Sequence, residues 1–420
     1  MRLSTKLAID RLLGTIIVDA LILLGSLRGQ KRPADPIRPA NIFVLKLLGL
    51  GSIIQATPLI AALQRLHPNA RIIFVTKQGN EQLTDRFPGI SRTLTVSDDG
   101  IARLLWSVAR LLCVFHRTRE TCFINLEAHS KIGAILTMLS RSRWKVGFFR
   151  NPRDLRLRAM FDRLVYFNQS APISEVYLQL GRTLGADNLS PPLSEIKGIA
   201  DDERDAERFL NSVGLPRAGT RLVLVNPNAS ELRLERRWPA AHFARTIDAL
   251  ARADPDLYFI FVGSQGELAH VETIVAQIPA GVRARVFNGA GHVSLGGLIA
   301  LIRRASLLIT NDSGPMHIAL SLATPTVGLF GPVDPDHYAS TNTSGTSIFL
   351  YHRIYCSPCV HHFEEAPCRG DNICMKQISV AEVLEAARTL LRDEDAPRAV
   401  HRQISYMDQG RPIGVIGALK

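Results

Sequence analysis

The sequence predicts an α/β protein built from two Rossmann-like halves. The chain has 420 residues, too many for one small core, so two domains are expected. Short β-rich apolar runs alternate with helical patterns in both halves of the chain, and several of these runs end in turns rich in Gly, Asn or Ser. Strands separated by helices favour right-handed βαβ units on parallel sheets.

Residues 1–39 are predicted to form an amphipathic helix and a proline-containing linker. The apolar run Leu12–Leu27 is 16 residues long and contains Asp19, whereas a membrane-spanning helix needs about 20 apolar residues. Basic residues such as Lys6 and Arg28 flank the run. This pattern favours a helix lying in a membrane interface, and packing on its own protein is the alternative. No small-x-small cleavage site follows, which argues against a signal peptide.

Residues 40–195 are predicted to form the first Rossmann-like domain. A polar stretch, Leu189–Asp202, is expected to connect it to the second. The predicted strands are Asn41–Leu47, Arg71–Lys77 and Thr121–Leu126, and the predicted helices are Ile53–Leu66, Ile101–Phe115 and one that begins at Lys131.

Residues 196–395 are predicted to form a second Rossmann-like domain. Residues 396–420, mainly His401–Lys420, are predicted to form a loosely ordered tail. The predicted strands of this second half are Arg221–Asn226, Leu257–Gly263, Ala284–Phe287 and a pair within Leu307–Pro332. The predicted helices are Ala240–Arg252, Leu268–Ile278 and Leu295–Arg303.

The segment Leu307–Pro332 is the most informative part of the chain. An apolar run stops at Asn311-Asp312-Ser313-Gly314, and a helical segment begins near Met316. Ligands of open α/β sheets bind beyond the carboxyl ends of strands, and a helix N-terminus there offers free amides and a partial positive charge to phosphate. Ser313 and Gly314 allow close approach of a diphosphate, and His317, one turn further, can donate to it.

The charge balance favours an anionic partner. The chain carries 50 Lys and Arg against 38 Asp and Glu, a formal net charge of +12. A membrane surface, a phosphorylated glycan or a nucleic acid would match this charge. No zinc-finger His pair, ribonucleoprotein motif or basic zipper is present in the sequence, so no nucleic acid partner is expected.

Four segments in this order resemble glycosyltransferase family 9, the heptosyltransferases of lipopolysaccharide core assembly. They are Phe43–Pro58, Val225–Pro239, Phe261–Glu267 and Leu307–Pro332, and the resemblance covers roughly residues 41–383. It implies the GT-B architecture, in which two Rossmann-like domains have parallel sheets facing a central cleft. It also implies that the first domain binds the acceptor and the second binds the nucleotide sugar.

The resemblance implies a donor-binding set in the second domain. Arg236 matches the Lys or Arg that precedes Trp-Pro and reaches the diphosphate in this family, and a guanidinium can clamp phosphate oxygens bidentately. Glu267 is expected to accept from the ribose hydroxyls, with Gln265 as the competing match. The full set is Asn228, Ser230, Arg236, Glu267, Asp312, Ser313, Gly314 and His317.

The acceptor side departs from the family at one position. The family usually has Gly-Asp in the first βα turn, and that Asp is its usual general base, but this turn reads Gly49-Leu50-Gly51-Ser52. Because a hydroxyl needs an activating partner, another group could be the base, and Glu127 and His129 are the candidates. Alternatively, the reaction needs little base assistance, or transfer activity has been lost. The candidate acceptor-binding residues are Lys46, Gly51 and Lys131.

The segment 356–374 contains a cysteine cluster. Its four thiols, with His361 and His362 between them, could close a structural zinc site, since Cys-x2-Cys is the usual half of one. Free thiols or an oxidisable pair are the alternatives. The cluster is Cys356, Cys359, Cys368 and Cys374.

The sequence therefore predicts an inverting glycosyltransferase that needs no catalytic metal. The resemblance implies ADP-heptose as the nucleoside-diphosphate sugar and an anionic glycolipid or other cell-surface glycan as acceptor. The basic charge and the N-terminal helix favour a cytoplasmic enzyme bound peripherally to the inner face of the inner membrane. Ser52 motivates one alternative, a catalytically silent sugar-nucleotide-binding protein. A nucleotide-sugar epimerase is another, and an NAD-dependent oxidoreductase is disfavoured because the full glycine fingerprint is lacking.

Overall fold

The computed structural model divides the chain into two compact units, Met1–Ser194 and Glu195–Lys420. Each unit holds one β-sheet and is described by itself. The residues that the structure describes are 14–25, 38–97, 99–186, 191–216, 219–230, 233–339, 347–360, 363, 366–392, 400–408 and 411–416.

The first unit is built on a six-stranded parallel sheet with the strand order β3-β2-β1-β4-β5-β6. The first strand, β1, lies in the middle of the sheet and pairs with both β2 and β4. The order therefore reverses beside β1, which is the kind of switch point where open α/β sheets bind ligands. The strands are β1 (Asn41–Leu45), β2 (Arg71–Lys77), β3 (Ile90–Val96), β4 (Thr121–Asn125), β5 (Trp144–Phe149) and β6 (Arg163–Tyr166).

Helices cover this sheet and close its core. Side chains of β1, such as Phe43 and Leu45, are fully buried with Leu111, Phe115 and Leu136 of the covering helices. The helices are α1 (residues 14–25), α2 (Leu50–Gln55), α3 (Thr57–Leu66), α4 (Glu81–Thr84), α5 (Ile101–Arg117), α6 (Lys131–Leu139) and α7 (Ile173–Arg182).

The second unit is built on an eight-stranded sheet with the strand order β14-β13-β12-β11-β10-β7-β8-β9. All neighbouring strands are parallel except the last pair, β13 and β14. The strands are β7 (Arg221–Asn226), β8 (Leu257–Phe261), β9 (Val286–Asn288), β10 (Leu307–Asn311), β11 (Thr326–Phe330), β12 (Ser347–Arg353), β13 (Val400–Asp408) and β14 (Arg411–Ile416).

The core of the second unit is centred on Trp238, which is 1% exposed and packs edge-on against Phe243. The central strands contribute fully buried aliphatic and aromatic side chains, as expected of a parallel sheet covered on both faces. The helices are α8 (Ala200–Ser212), α9 (Ala240–Ala253), α10 (Leu268–Ala276), α11 (Ala280–Arg283), α12 (Leu295–Arg304), α13 (Gly314–Ser321), α14 (Pro335–Tyr338), α15 (Ile373–Lys376) and α16 (Val380–Arg392).

The structure differs from the sequence predictions in three places. The single helix predicted over Ile53–Leu66 is two helices, and the second has proline in its first turn, where proline is tolerated because that turn needs no amide donor. Further strands, such as β3, β5 and β12, were not predicted. Finally, β13 and β14 lie where a loosely ordered tail was predicted, and β13 pairs in parallel with β12 along Ser347–Arg353.

The N-terminal helix packs on its own unit. Val18 of α1 is 1% exposed and lies in a cluster with Ala134 and Met138 of α6. Across the described residues, we find no helix with the length and apolar character needed to cross a membrane.

Candidate functional site

In the second unit, polar side chains gather at the carboxyl ends of β7 and β10. The two strands pair in parallel with Thr310 opposite Asn226, so their ends lie side by side. Asn226 Nδ2 donates to Thr310 Oγ1 at 3.0 Å and to Ser313 Oγ at 2.6 Å. These bonds hold the turn that leads into α13.

The N-terminus of α13 is left without a side-chain cap. Ser313 is the N-cap residue, but its side chain makes no capping hydrogen bond, because its hydroxyl bonds to Asn226 and Thr310 instead. Pro315, in the first turn, has no amide hydrogen. The first-turn amides therefore keep the donor capacity and partial positive charge that bind phosphates at helix N-termini.

Asn311 fastens the segment after β7 to β10. Its Nδ2 donates to the carbonyl of Pro227 at 2.8 Å, and its Oδ1 accepts from the amide of Trp238 at 3.1 Å. Trp238 is anchored in turn by its indole N–H, which donates to the carbonyl of Ile378 at 2.9 Å. Because Asn311 is fully buried, these bonds fix where Arg236, two residues before Trp238, enters the site.

A buried charged cluster lies next to the uncapped helix. Arg236 Nη1 is 3.2 Å from Asp312 Oδ2, and His317 Nε2 is 4.0 Å from Asp312 Oδ1. Asp312 is 2% exposed and His317 4% exposed. Three buried atoms here make no hydrogen bond to a described residue: Arg236 Nε, His317 Nδ1 and Asp312 Oδ2, which contacts Arg236 Nη1 as an ion pair only. Buried polar atoms are normally paired, so this cluster is arranged for a ligand with several polar groups.

His317 is neutral at physiological pH. Burial lowers its pKa to about 4; nearby Arg236 lowers it further, and the Asp312 carboxylate opposes the shift. A neutral imidazole carries one donor and one acceptor nitrogen. His317 can therefore hydrogen-bond to a ligand without adding charge to the site.

Asn228 extends the polar surface toward β8. Its Nδ2 donates to the carbonyl of Val262 at 2.8 Å, and its Oδ1 is buried without a partner among the described residues. Gly263 makes room for it, since a Cβ there would lie 2.6 Å from Asn228 Nδ2. Ser230, two residues on, is exposed, and its carbonyl accepts from Arg233.

Glu267 has a local structural role that was not predicted, although the Ser264-x-x-Glu267 spacing is typical of a capping box. Its Oε2 accepts from the amide and the hydroxyl of Ser264, both at 2.8 Å, which forms a capping box. Only its other oxygen remains for the predicted ribose contact. Gln265, the competing match, lies against Gly291, where a Cβ would be 2.3 Å from Gln265 Oε1.

In the first unit, Glu127 and Lys46 form a buried ion pair beside the first βα turn. Lys46 Nζ is 3.0 Å from Glu127 Oε1. The same oxygen accepts from the amides of Leu47 and Leu48, at 2.7 and 3.2 Å. Glu127 thus holds the turn after β1 with one oxygen, and Lys46, a predicted acceptor-binding residue, is its ion-pair partner.

Ser52 lies in this turn without a base to activate it. Its hydroxyl is hydrogen-bonded to Tyr177 of α7, a phenol whose pKa is raised first by burial and then by the Glu127 carboxylate. A neutral phenol cannot take the serine proton. Gly51, beside it, belongs to the first turn of α2, and Gly49 adopts a φ of 89° that favours glycine.

His129 is neutral and is used as an acceptor. Arg150 Nη1 lies 2.8 Å from His129 Nδ1, and because arginine only donates, the ring proton must be on Nε2. The pKa of His129 is lowered to about 4 by burial and by the charges of Arg150 and Lys46. His129 is therefore poorly suited to be a general base. Lys131, the third predicted acceptor residue, begins α6 and is partly buried.

The cysteine cluster does not form the predicted zinc site. Its four cysteines are free thiols, and no group of three His, Cys, Asp or Glu in the described part of the chain could hold a metal ion. Cys374 lies in the hydrophobic core, and burial is the main cause that raises its pKa to about 12. His361 and His362 lie outside the described residues.

Several residues that build these clusters were not predicted as site residues. Tyr177 and Arg150 contact predicted residues from distant parts of the first unit, and Asn226 and Asn311 position the second cluster. The asparagines carried a usable signal, because each ends an apolar strand run. Tyr177 and Arg150 carried none, since only the folded chain brings them near Ser52 and His129.

The two sheets and their crossover helices define an α/β protein of the GT-B class, as predicted. The crystal structure of a family 9 glycosyltransferase from Veillonella parvula matches with a TM-score of 0.71 at 24% identity, covering 86% of this chain and 99% of that one. The structure of E. coli ADP-heptose lps heptosyltransferase II matches with a TM-score of 0.66 at 21% identity, covering 85% and 100%.

Sequence comparison gives the family. The model of glycosyltransferase family 9 (heptosyltransferase) matches residues 116–368, more than half of the chain. The lipopolysaccharide core heptosyltransferase OpsX of Haemophilus influenzae is 22% identical over 314 residues, which cover 74% of this chain and 85% of that protein. The chain belongs to glycosyltransferase family 9 and is a glycosyltransferase.

The buried imidazole of His317 predicts acid sensitivity of the second unit. Its pKa is about 4 in the folded protein against 6.5 in the unfolded chain. As the pH falls from 6.5 toward 4, the unfolded chain takes up a proton that the folded protein does not, so stability is lost. At pH 5 the loss is about 2 kcal/mol, or roughly 5 °C in melting temperature.

Thermal denaturation of wild type and His317→Gln at pH 7 and pH 5 measures this effect. The variant should lose less melting temperature on acidification than wild type, whatever its stability at pH 7. His292→Gln, which replaces an exposed ring of the same unit, is the matched control. An equal loss in wild type and His317→Gln would contradict the assignment.

Proposed function

We propose that this protein transfers a heptose from ADP-heptose to a lipopolysaccharide-core or other cell-surface glycan, with inversion at the transferred carbon. The observation that carries the proposal is the cluster of Arg236, Asp312 and His317, with its unpartnered buried atoms, beside the uncapped N-terminus of α13. This combination suits a ligand that has both an anionic diphosphate and a polar sugar.

The names of the relatives support the choice of sugar and acceptor. One matched structure is that of an ADP-heptose lps heptosyltransferase, and the Haemophilus relative is a lipopolysaccharide core heptosyltransferase. We extend both functions to this chain because it retains Asp312, Ser313, Gly314 and His317 in the family's order.

The donor-side residues supply electrostatic stabilisation of the leaving nucleotide. Charge develops on the diphosphate as the bond to the sugar breaks. Helix N-terminal amides and a guanidinium aimed at that charge stabilise it most in a site from which water is excluded. In this proposal, Arg236 and the amides after Ser313 bind the diphosphate, and Asp312 accepts from sugar hydroxyls. His317 adds one uncharged hydrogen bond.

The acceptor-side residues need a general base, and we assign that role to Glu127. Ser52 is bonded to a neutral phenol, and His129 already uses Nδ1 to accept from Arg150. The amides of Leu47 and Leu48 and the ammonium of Lys46 all contact Glu127 Oε1. The other oxygen, Oε2, has no donor among the described residues. One oxygen fixes the carboxylate, and the other can take the proton of an acceptor hydroxyl.

The proposal assigns acceptor binding to residues 40–195 and donor binding to residues 196–395. It includes no catalytic metal, because Arg236 and the helix amides supply the positive charge that a metal would supply elsewhere. We further propose that the enzyme is cytoplasmic and peripheral on the inner face of the inner membrane. The formal net charge of +12 suits the anionic surface on which a glycolipid acceptor would lie.

Arg236→Ala is expected to weaken ADP binding by roughly tenfold to a hundredfold, because a charge-assisted hydrogen bond is lost and Asp312 is left unpaired. Isothermal titration calorimetry with ADP measures the effect. Arg237→Ala is the matched control: it removes the same charge one residue away, where the guanidinium acts on His270. Equal losses in the two variants would contradict the specific role of Arg236.

Glu127→Gln is expected to lower kcat by roughly a hundredfold or more, since a general base contributes about 10² to 10⁴. Its ADP affinity should be unchanged. The amide keeps an acceptor oxygen for Leu47 and Leu48, so the fold should survive. Ser52→Ala, in the same turn, should change kcat by less than about threefold, because the hydroxyl has no activating partner.

Steady-state transfer kinetics with a panel of ADP-sugars, alongside melting temperatures, distinguishes these outcomes. Full activity in Glu127→Gln would exclude Glu127 as the base. A large loss in Ser52→Ala would return the role to Ser52.

A further inference from the structure

The outer faces of α1 and α5 in the first unit expose an unusual number of large apolar side chains. Those of α5 include Trp106, which is 65% exposed, and Leu105, which is 64% exposed. We call this set the α1–α5 face, and it consists of Ile16, Ile17, Leu23, Leu24, Ile101, Leu105 and Trp106.

The two helices belong to one layer on the same side of the six-stranded sheet. α5 and α6 bury Leu111 and Leu136 in one core cluster with Phe43 of β1. The end of α5 is tied to the end of α6, because His116 Nε2 lies 3.0 Å from the carbonyl oxygen of Leu139. α1 packs on α6 through Val18. α6 is therefore flanked by α1 and α5, whose free sides remain exposed.

α1 is held on the protein and still presents apolar side chains to solvent. Asp19, the charge that interrupts its apolar run, is paired with Arg156 at 2.7 Å. Val18 is buried, whereas Leu23 on the other side of the helix is 63% exposed and Ile16 62% exposed. A helix that only stabilised its own unit would not need these side chains.

The charges on α5 are basic, and Asp99, just before the helix, pairs with Arg103 at 3.9 Å. α5 carries Arg103, Arg110, His116 and Arg117 and has no acidic residue over its 17 residues. The Arg110 guanidinium lies 5.5 Å from the centre of the Trp106 ring.

We propose that the α1–α5 face docks on an anionic lipid bilayer, with Trp106 at the level of the headgroups. Apolar side chains, an amphipathic ring and flanking arginines together are the composition that binds membrane interfaces. A second copy of this chain fits less well, because a two-fold contact would bring the arginines of one α5 against those of the other. The inference rests on the proposed function, which requires access to a lipid-linked acceptor.

Trp106 makes docking directly observable in the full-length protein. The chain has three tryptophans; Trp144 is 5% exposed and Trp238 1% exposed, so Trp106 alone senses the surroundings. Vesicles of phosphatidylethanolamine and phosphatidylglycerol should shift the emission to the blue, and brominated lipids should quench it. Neutral phosphatidylcholine vesicles or 0.5 M salt should weaken both effects. Trp106→Phe should abolish the shift while the protein still sediments with vesicles.

Cosedimentation with the same vesicles tests the face itself. Replacing Leu105 and Trp106 together by Glu should lower partitioning by roughly tenfold or more. Arg103→Gln should lower it by about fivefold. Tyr355→Glu, a change at a 91% exposed aromatic residue in the second unit, is the control and should partition as wild type does.

Transfer assays separate failure of this inference from failure of the proposed function. With a water-soluble, delipidated acceptor, the double Glu variant should keep the kcat/KM of wild type, and with acceptor in vesicles it should lose activity. If wild type binds vesicles but transfers no sugar, the proposed function is contradicted and the docking face is still supported. Two results would overturn the docking face. In the first, the double Glu variant partitions onto vesicles as well as wild type does. In the second, wild type forms a dimer that the double Glu substitution dissociates, and neither protein binds vesicles.

Discussion

A buried carboxylate that is ion-paired but incompletely hydrogen-bonded organises the site of the second unit. Asp312 is almost inaccessible, and a buried anion is costly unless it is paired and hydrogen-bonded. Arg236 Nη1 forms an ion pair with Asp312 Oδ2 at 3.2 Å, but that oxygen and Arg236 Nε make no hydrogen bond within the described structure. Burying these groups without full hydrogen bonding lowers the stability of the unit, and a polar anionic ligand would complete their hydrogen bonds.

The first unit uses a carboxylate differently. Glu127 places its partners on one oxygen: two amides of the turn after β1 and the ammonium of Lys46. The position that is usually Asp in this family is Ser52, which bonds to Tyr177. The negative charge near this turn therefore comes from the end of β4 rather than from the turn itself. In our proposal, Glu127 supplies the carboxylate that this turn lacks.

Much of this arrangement was predictable, because it depends on local patterns. Apolar runs ended by Asn and Gly identified β10 and its turn, and the order of the segments identified the family. Side-chain pairing was less accessible: the Ser264-x-x-Glu267 spacing is typical of a capping box, but nothing in the sequence indicates that Lys46 neutralises Glu127. Cys374 shows the same limit, since its spacing suggested a metal ligand and its place in the core makes it a buried thiol.

Diphosphate binding by the α13 N-terminus and Arg236 is the central requirement of the proposed function. A crystal structure of the protein with a bound ADP-sugar tests it directly. Phosphate oxygens should lie within hydrogen-bond distance of the Gly314 and Met316 amides and of the Arg236 guanidinium. A nucleotide bound elsewhere, with Arg236 still paired only to Asp312, would contradict the account.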